Sequence, residues 1–426
     1  MSSRTVAVTG LGLVTPAGIG VGENWQRICG GRSAAARDPE LASLPVDISC
    51  RVPGFEPVAR LGATHARRLD RHVQFALVAA AEALVDAGLD HETWDGARVA
   101  VVMGTGAGGP GSSYTQHQRL IDHGSAKVSA HALPMLLPNM VAGQLAIDFH
   151  ATGPNLVTCT ACAAGTTAIG MARYLLLSGA CDVAVTGGAE AAVNPLFMAG
   201  FARLGALSRR LDEPARASRP FDAARDGFVA GEGAAVLVME RVDDAHARRA
   251  GVHGYLAGYG ASADAHHVTA PEPDGRGTEQ AMRAALADAG AEPGDVGHVN
   301  AHGTSTPLND LTEALALWRI FGDGVVVTST KGVTGHMLGA TGAVEAVYTL
   351  LALKNQCVPP TANVEKLDPD IPVEIATGAV QLRPMSLAIN NSCGFGGQNA
   401  ALLFSRDAGS SPSSPRSLST PRETAG

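Results

Sequence analysis

Four short segments carry the residue types from which chemistry is built. The first, Leu156-Val-Thr-Cys159-Thr-Ala-Cys162-Ala-Ala-Gly-Thr-Thr-Ala-Ile-Gly170, reads as an apolar strand turning into a small-residue helix. A cysteine at such an elbow gains twice, because the helix N-terminus lowers its pKa and the free backbone N–H groups can hold a developing oxyanion. Cys162 occupies that place. A small buried thiol would fit the same residues, so the segment alone admits both readings. Cys159, on the strand side of the turn, is expected to be buried and inert.

The second segment, Val299-Asn-Ala-His302-Gly-Thr304-Ser-Thr306-Pro, ends a strand at a histidine followed by hydroxyl side chains. Such a histidine suits hydrogen bonding to a bound carbonyl or amide, although a solvent-exposed loop histidine has the same surroundings. The third runs Val327-Thr-Ser-Thr-Lys331-Gly-Val-Thr-Gly-His336 into an Ala/Gly-rich helix. His336 is expected at the start of that helix, with Glu345 two and a half turns on and near its face. Lys331, delivered by a strand end into glycines, stands where α/β proteins put site residues, although a surface lysine is the alternative. The fourth, Leu387-Ala-Ile-Asn-Asn-Ser-Cys393-Gly-Phe395-Gly-Gly-Gln398, sets one aromatic among three glycines, as a movable gate or a plain turn would.

The elements that present these segments alternate between β and α. Val6–Thr9, Gln74–Ala87 and Arg98–Met103 read as strand, helix and strand, and a second series starts with His253–Gly258, Gly277–Ala289 and Gly297–Ala301. The basic stretch Glu240–Ala250 separates the two series. This gives a half over residues 1–250 with the candidate nucleophile, and a half over 251–405 with both histidines and the lysine. Asp182–Gly188 and Val325–Gly332 each run a buried strand into a glycine turn, which raises the prospect of an internal repeat. Residues 406–426, rich in serine and proline with almost nothing apolar, are expected to be disordered.

Composition removes several classes of function. The 426 residues, 46% hydrophobic, exceed one compact core and suffice for two halves that share one. A net charge of -8 argues against non-specific nucleic-acid binding. Seven cysteines without paired zinc spacings fit reduced thiols in a cytoplasm. No apolar run reaches the roughly 18 residues of a membrane span, and no membrane association is expected.

Taken together, Thr-Ala-Cys162, Asn-Ala-His302-Gly-Thr-Ser-Thr-Pro, Thr-Lys331-Gly-Val-Thr-Gly-His336 and Asn-Ser-Cys393-Gly-Phe395-Gly-Gly resemble the β-ketoacyl-acyl-carrier-protein synthases of the condensing-enzyme II type. The resemblance covers about residues 4–405. It implies the thiolase fold, two pseudo-symmetric halves in a five-layered α-β-α-β-α stack. It also implies that Cys162 carries an acyl thioester and that His302 and His336 assist decarboxylation of malonyl carrier protein. Cys162 and Phe395 would supply the oxyanion-hole N–H groups, and Lys331 would act through Glu345 or Glu313.

By the same resemblance, Thr304 and Thr306 would contact the pantetheine arm, while Ala107, Ala132, Phe197 and Phe201 would shape the acyl pocket, Ala132 from the far, dimer-borne end. No metal or redox cofactor is implied, since phosphopantetheine arrives on the acyl carrier protein. That acidic carrier would dock on Arg67, Arg68 and Arg71, with Arg203 nearby. The resemblance further implies a homodimer or a heterodimer with a chain-length-factor-like subunit. Cys393, Ala107, Ala132 and the tail depart from fatty-acid relatives. They point first to the ketosynthase subunit of a type II polyketide system, and second to a housekeeping fatty-acid elongating synthase. Cys162 argues against the non-catalytic chain-length partner.

Overall fold

The computed structural model describes residues 5–408. Ten strands form the frame: β1 (Val6–Thr15), β2 (Val99–Gly104), β3 (Asn155–Thr158), β4 (Val183–Glu190), β5 (Gly233–Arg241), β6 (Gly254–Ala263), β7 (Val296–Asn300), β8 (Val326–Thr328), β9 (Leu387–Gly394) and β10 (Gln398–Ser405). The first half orders them β1-β5-β4-β2-β3 and the second β6-β10-β9-β7-β8. Every strand of one half thus has a counterpart five numbers on in the other. Directions match too, since β4, β2 and β3 run parallel, as do β9, β7 and β8, while the other neighbours are antiparallel. The halves join where Val6–Val8 of β1 pair antiparallel with Gly254–Leu256 of β6.

Six helices repeat in the same way. They are α1 (Arg71–Ala87), α2 (Met140–Asp148), α3 (Ala164–Leu177), α4 (Arg276–Ala289), α5 (Pro307–Phe321) and α6 (Thr341–Asn355). Helices α1 and α2 cover the outer face of the first sheet, and α4 and α5 cover that of the second. Helices α3 and α6 lie between the sheets, which makes five layers. Strand residues alternate accordingly: Ala235, Leu237 and Met239 of β5 face the middle layer, whereas Ala234, Val236 and Val238 face α1. Helix α6 is buried from Thr341 to Leu353 on all sides, as an apolar helix sandwiched by two sheets must be.

The repeat is real, but Asp182–Gly188 and Val325–Gly332 are not counterparts. The former is β4, which matches β9, while the latter contains β8, which matches β3. Their local likeness reflects the shared burial of parallel strands on both faces. Of the expected tail, Arg406 still donates its N–H to the carbonyl of Ser386, and residues from 409 on lie outside the described residues.

Where α3 and α6 cross, glycines let the backbones touch. A Cβ on Gly165 would come within 2.8 Å of the Ala343 nitrogen, and one on Gly342 within 2.0 Å of Thr166 Oγ1. This crossing brings Cys162, just before α3, next to the turn that precedes α6. Gly342→Ala is therefore expected to destabilise the protein by about 1–3 kcal/mol through overpacking, read as a lowered Tm. An unchanged Tm would show that the crossing tolerates separation.

Candidate active site

Cys162 sits in the single turn Ala161–Ala163 that leads from β3 into α3. Its neighbour Ala161 has φ 49, a strained conformation for a residue with a Cβ. The thiol is buried, and burial pushes it up to about 11. Lys331, the Phe395 N–H and its own N–H pull the other way by favouring the thiolate. Those two N–H groups converge on the sulfur from the turn that precedes α3 and from the β9–β10 turn, the arrangement that stabilises an oxyanion on an attached acyl carbon.

His302 follows β7 and His336 precedes α6, and their rings meet edge to face with centroids 5.2 Å apart. Both are buried and held well below the ordinary histidine range, first by desolvation and then by the charge of Lys331. Each is therefore a neutral imidazole at physiological pH, with one N–H to donate. Thr341 Oγ1, 3.1 Å from Nδ1 of His336, and an edge contact with Phe228 at 5.4 Å orient that ring. Glu313 fixes the other histidine through its backbone, accepting the N–H groups of His302 and Gly303 at 2.7 and 2.8 Å, and also binds Asn391.

Lys331 does not line the cavity. It opens the short helix Lys331–Thr334, fully buried behind the histidines, and donates to Glu345 Oε1 at 2.6 Å. Burial pushes Glu345 up to about 7, opposed by Lys331 and the hydroxyl of Thr330. The sequence left Glu345 and Glu313 open as its partner, and the structure chooses Glu345. His336 itself is not at a helix start: it lies in an extended bridge beside Ala230, five residues before α6.

A cavity of about 560 Å³ collects Cys162, both histidines, Phe395, Thr304, Thr306 and Glu313. Ala107, Phe197 and Phe201 line its apolar part, and the ring of Phe201 lies 6.4 Å from that of Phe395. Thr304 and Thr306 share a hydroxyl–hydroxyl hydrogen bond of 2.9 Å on the polar side. Ala132, in the turn of helix Ala132–Leu136, is not part of the lining in its own chain.

Two further expectations need correction. Cys159 is exposed, because β3 is the edge strand of its sheet and its end faces outward. Arg71 is committed elsewhere: its guanidinium forms two bonds to the buried Glu232, at 2.7 and 3.0 Å, and stacks over Phe55 and Phe75. Arg67, Arg68 and Arg203 remain exposed. Glu190, buried against the cavity at the end of β4, escaped the sequence reading, since a strand ending in a carboxylate is an ordinary solvated terminus in one dimension. Among the described residues no cluster of His, Cys, Asp or Glu is disposed to hold a metal, and no helix is long and apolar enough to cross a membrane.

A doubled five-layered fold that presents a buried thiol to two neutral histidines and a pair of backbone donors defines a condensing enzyme of the thiolase type. Residues 3–245 match the N-terminal domain of β-ketoacyl synthases and residues 253–365 their C-terminal domain. The chain belongs to the β-ketoacyl synthase family and is an acyltransferase. It is 41% identical to 3-oxoacyl-[acyl-carrier-protein] synthase 2 of Staphylococcus aureus strain COL over 409 residues, covering 95% of this chain and 99% of that protein. The enzyme of the same name from Synechocystis sp. is 42% identical over 413 residues, again 95% and 99% of the two chains. Among solved structures, a β-ketoacyl synthase from Burkholderia phymatum superposes with TM-score 0.89 at 34% identity, covering 96% of this chain and all of that one. The ishigamide ketosynthase/chain length factor gives 0.88 at 31%, with 95% and 100% covered.

Proposed function

We propose that this enzyme extends acyl chains held on an acyl carrier protein by decarboxylative Claisen condensation, with Cys162 as nucleophile. The thiolate of Cys162 attacks the carrier thioester, and the carrier's thiol leaves with the proton that Cys162 gave up. Malonyl carrier protein then loses CO2, and the electron pair of the broken C–C bond passes into an enolate whose oxygen accepts from His302 and His336. The enolate carbon attacks the Cys162 thioester, forming a C–C bond as the C–S bond breaks and Cys162 leaves as a thiolate, which regains its proton from solvent before the next cycle. The N–H groups of Cys162 and Phe395 hold the oxyanion in both acyl-transfer steps. The observation that carries this reading is the convergence of Cys162, Phe395 and the paired rings of His302 and His336 on one cavity. Burial disfavours the charged form of both imidazoles, which suits donors to an enolate better than an imidazolium that would bind the malonyl carboxylate.

His302→Ala and His336→Ala are each expected to slow malonyl decarboxylation about 10²–10³-fold while acyl transfer to Cys162 persists. Mass spectrometry of the acylated protein beside CO2 release separates the two steps. Equal loss of both would remove the histidines from this role.

The relatives at 41–42% identity favour fatty-acid-type extension over the polyketide reading to which the sequence first pointed. Ala107 in the cavity lining, and a type II polyketide ketosynthase structure at 30% identity and TM-score 0.87, support polyketide extension as the second reading. Reconstitution with saturated acyl-carrier protein decides, because failure to extend plain saturated chains would favour the second.

The acidic carrier docks, in this proposal, on Arg67 and Arg68 at the end of helix Pro57–Arg68 and on Arg203. Its phosphopantetheine arm passes Thr304 and Thr306, and no resident cofactor is needed. Arg67→Glu with Arg68→Glu should raise KM for the carrier about tenfold and leave kcat unchanged, with the difference shrinking in salt. A salt-independent change would argue against docking there. The free edge of β3, with Leu156 exposed and Ile147 and Tyr174 nearby in sequence also exposed, supports pairing with a second ketosynthase-fold subunit, identical or chain-length-factor-like. Free cysteines throughout the described chain support a cytoplasmic setting.

A further inference from the structure

Glu190 has no role in the chemistry above, yet it is fully buried and its carboxylate is gripped from both halves of the molecule. Oε2 accepts the N–H of Gly106 at 2.6 Å and that of Gly339 at 3.3 Å, while Oε1 accepts from Thr105 Oγ1 at 3.3 Å. Gly106 follows β2 and adjoins Ala107, whereas Gly339 belongs to the turn between His336 and α6. A Cβ on either glycine would stand 2.8 Å from the same carboxylate oxygen, so both loops are shaped around it.

Two further observations give this contact a purpose. Leu338, whose side chain packs with Cys162 and Phe197 on the cavity, has φ 47, a strained conformation that persists only when its surroundings hold it. The adjoining Gly339 N–H on Glu190 is such a hold. The pseudo-symmetry supplies the second: β2 and β7 are counterparts, and the loop leaving β7 is held by Glu313 through His302 and Gly303, as the loop leaving β2 is held by Glu190. The two carboxylates come from non-equivalent elements, Glu313 from α5 and Glu190 from β4, yet one fixes a catalytic loop and the other fixes the loop that walls the acyl pocket.

We propose that Glu190 is a positioning residue for the acyl end of the cavity, joining the Thr105–Ala107 wall to the Leu338–Gly339 wall and so setting which acyl chains Cys162 accepts. This rests on the reading of Cys162 as the acylated residue. Burial raises Glu190 to about 7, opposed by the charge of His72 on α1 and by its N–H and hydroxyl donors; the other titratable groups that feel it are Cys162 and Cys159. His72 is itself 2.6 Å from Asp70. Ionised, Glu190 accepts all three donors. Protonated below that pH, it must donate one hydrogen itself, and the hold loosens.

The test compares loading of Cys162 from hexanoyl- and tetradecanoyl-carrier protein, read as the ratio of their kcat/KM values. Glu190→Gln should shift that ratio about tenfold and make it independent of pH. In the wild type the ratio should move toward the variant's value as pH falls through about 7. Alkylation of Cys162 by iodoacetamide, which needs no acyl pocket, should proceed in the variant at the wild-type rate. The ratio cancels ionisations such as that of Glu345, which faces Lys331 and acts on both donors alike. An unchanged ratio in the variant, or slowed alkylation equal to the loss in loading, overturns the proposal. Should the variant not fold, a wild-type ratio flat through neutral pH overturns it equally. Loading by neither donor would instead overturn the assignment of Cys162.

Discussion

Cys162→Ala is expected to abolish condensation, with kcat reduced at least about a thousandfold, because no other group in the cavity can carry the acyl thioester. Cys393 lines the same cavity, but burial and the nearby Glu313 hold its thiol far above the ordinary range, and it bonds to Thr278. It lacks the converging N–H groups of Cys162. The decisive measurement is intact-protein mass spectrometry after incubation with acyl-carrier protein. The wild type should gain one acyl mass, located at Cys162, and the variant none. The substitution removes a small side chain from a site held by α3 and the β9–β10 turn, so Tm should change little. Acylation that survives in the variant would reassign the nucleophile.

Lys331→Met carries the largest expected effect on stability. Glu345 is buried with Lys331 as its sole cationic partner in the site, and its Oε2 has no hydrogen-bond partner among the described residues. Removing one member of a buried pair strands the other, at about 3–5 kcal/mol. For a chain of this size that is a fall in Tm of roughly 3–6 °C. The sign with pH follows from the direction of the Glu345 shift. Lys331 draws Glu345 down, so its removal lifts the carboxyl further above about 7, and the folded variant binds a proton that the unfolded chain releases above the ordinary carboxylate range. The stability deficit of the variant should therefore grow as pH rises through neutrality and shrink in acid. Lys331→Met combined with Glu345→Gln should recover most of the loss, since no charge is then stranded.

Activity should fall at least about a hundredfold in both variants, because the charge of Lys331 adds to burial in keeping His302 and His336 unprotonated and its helix holds the turn that carries His336. Thermal denaturation at several pH values decides the matter. A deficit that stays constant with pH would mean that the buried pair is not the source of the cost.

Much of this was legible in one dimension. Parallel strands buried on both faces must be near-continuous apolar runs, and helices between them must be small and apolar, so α/β alternation and the position of Cys162, His302, Lys331, His336 and Phe395 at strand exits could be read from residue types alone. The thiol at a strand-to-helix elbow and the glycines around Phe395 are local features, determined within a few residues of each other.

What the chain order could not decide is which distant groups meet. Glu313 and Glu345 were equal candidates for Lys331 until α6 turned one toward it. Arg71 read as part of a basic helix end until Glu232, 161 residues away, was found beneath it. Cys159 looked buried until β3 proved to be an edge. Glu190 had no signal, because the loops that surround it come from β2 and from the turn before α6, in opposite halves. The physical reason is common to all four. Burial and charge pairing depend on long-range packing, which in this fold is set by a pseudo-symmetric stack whose two halves complete one another's site.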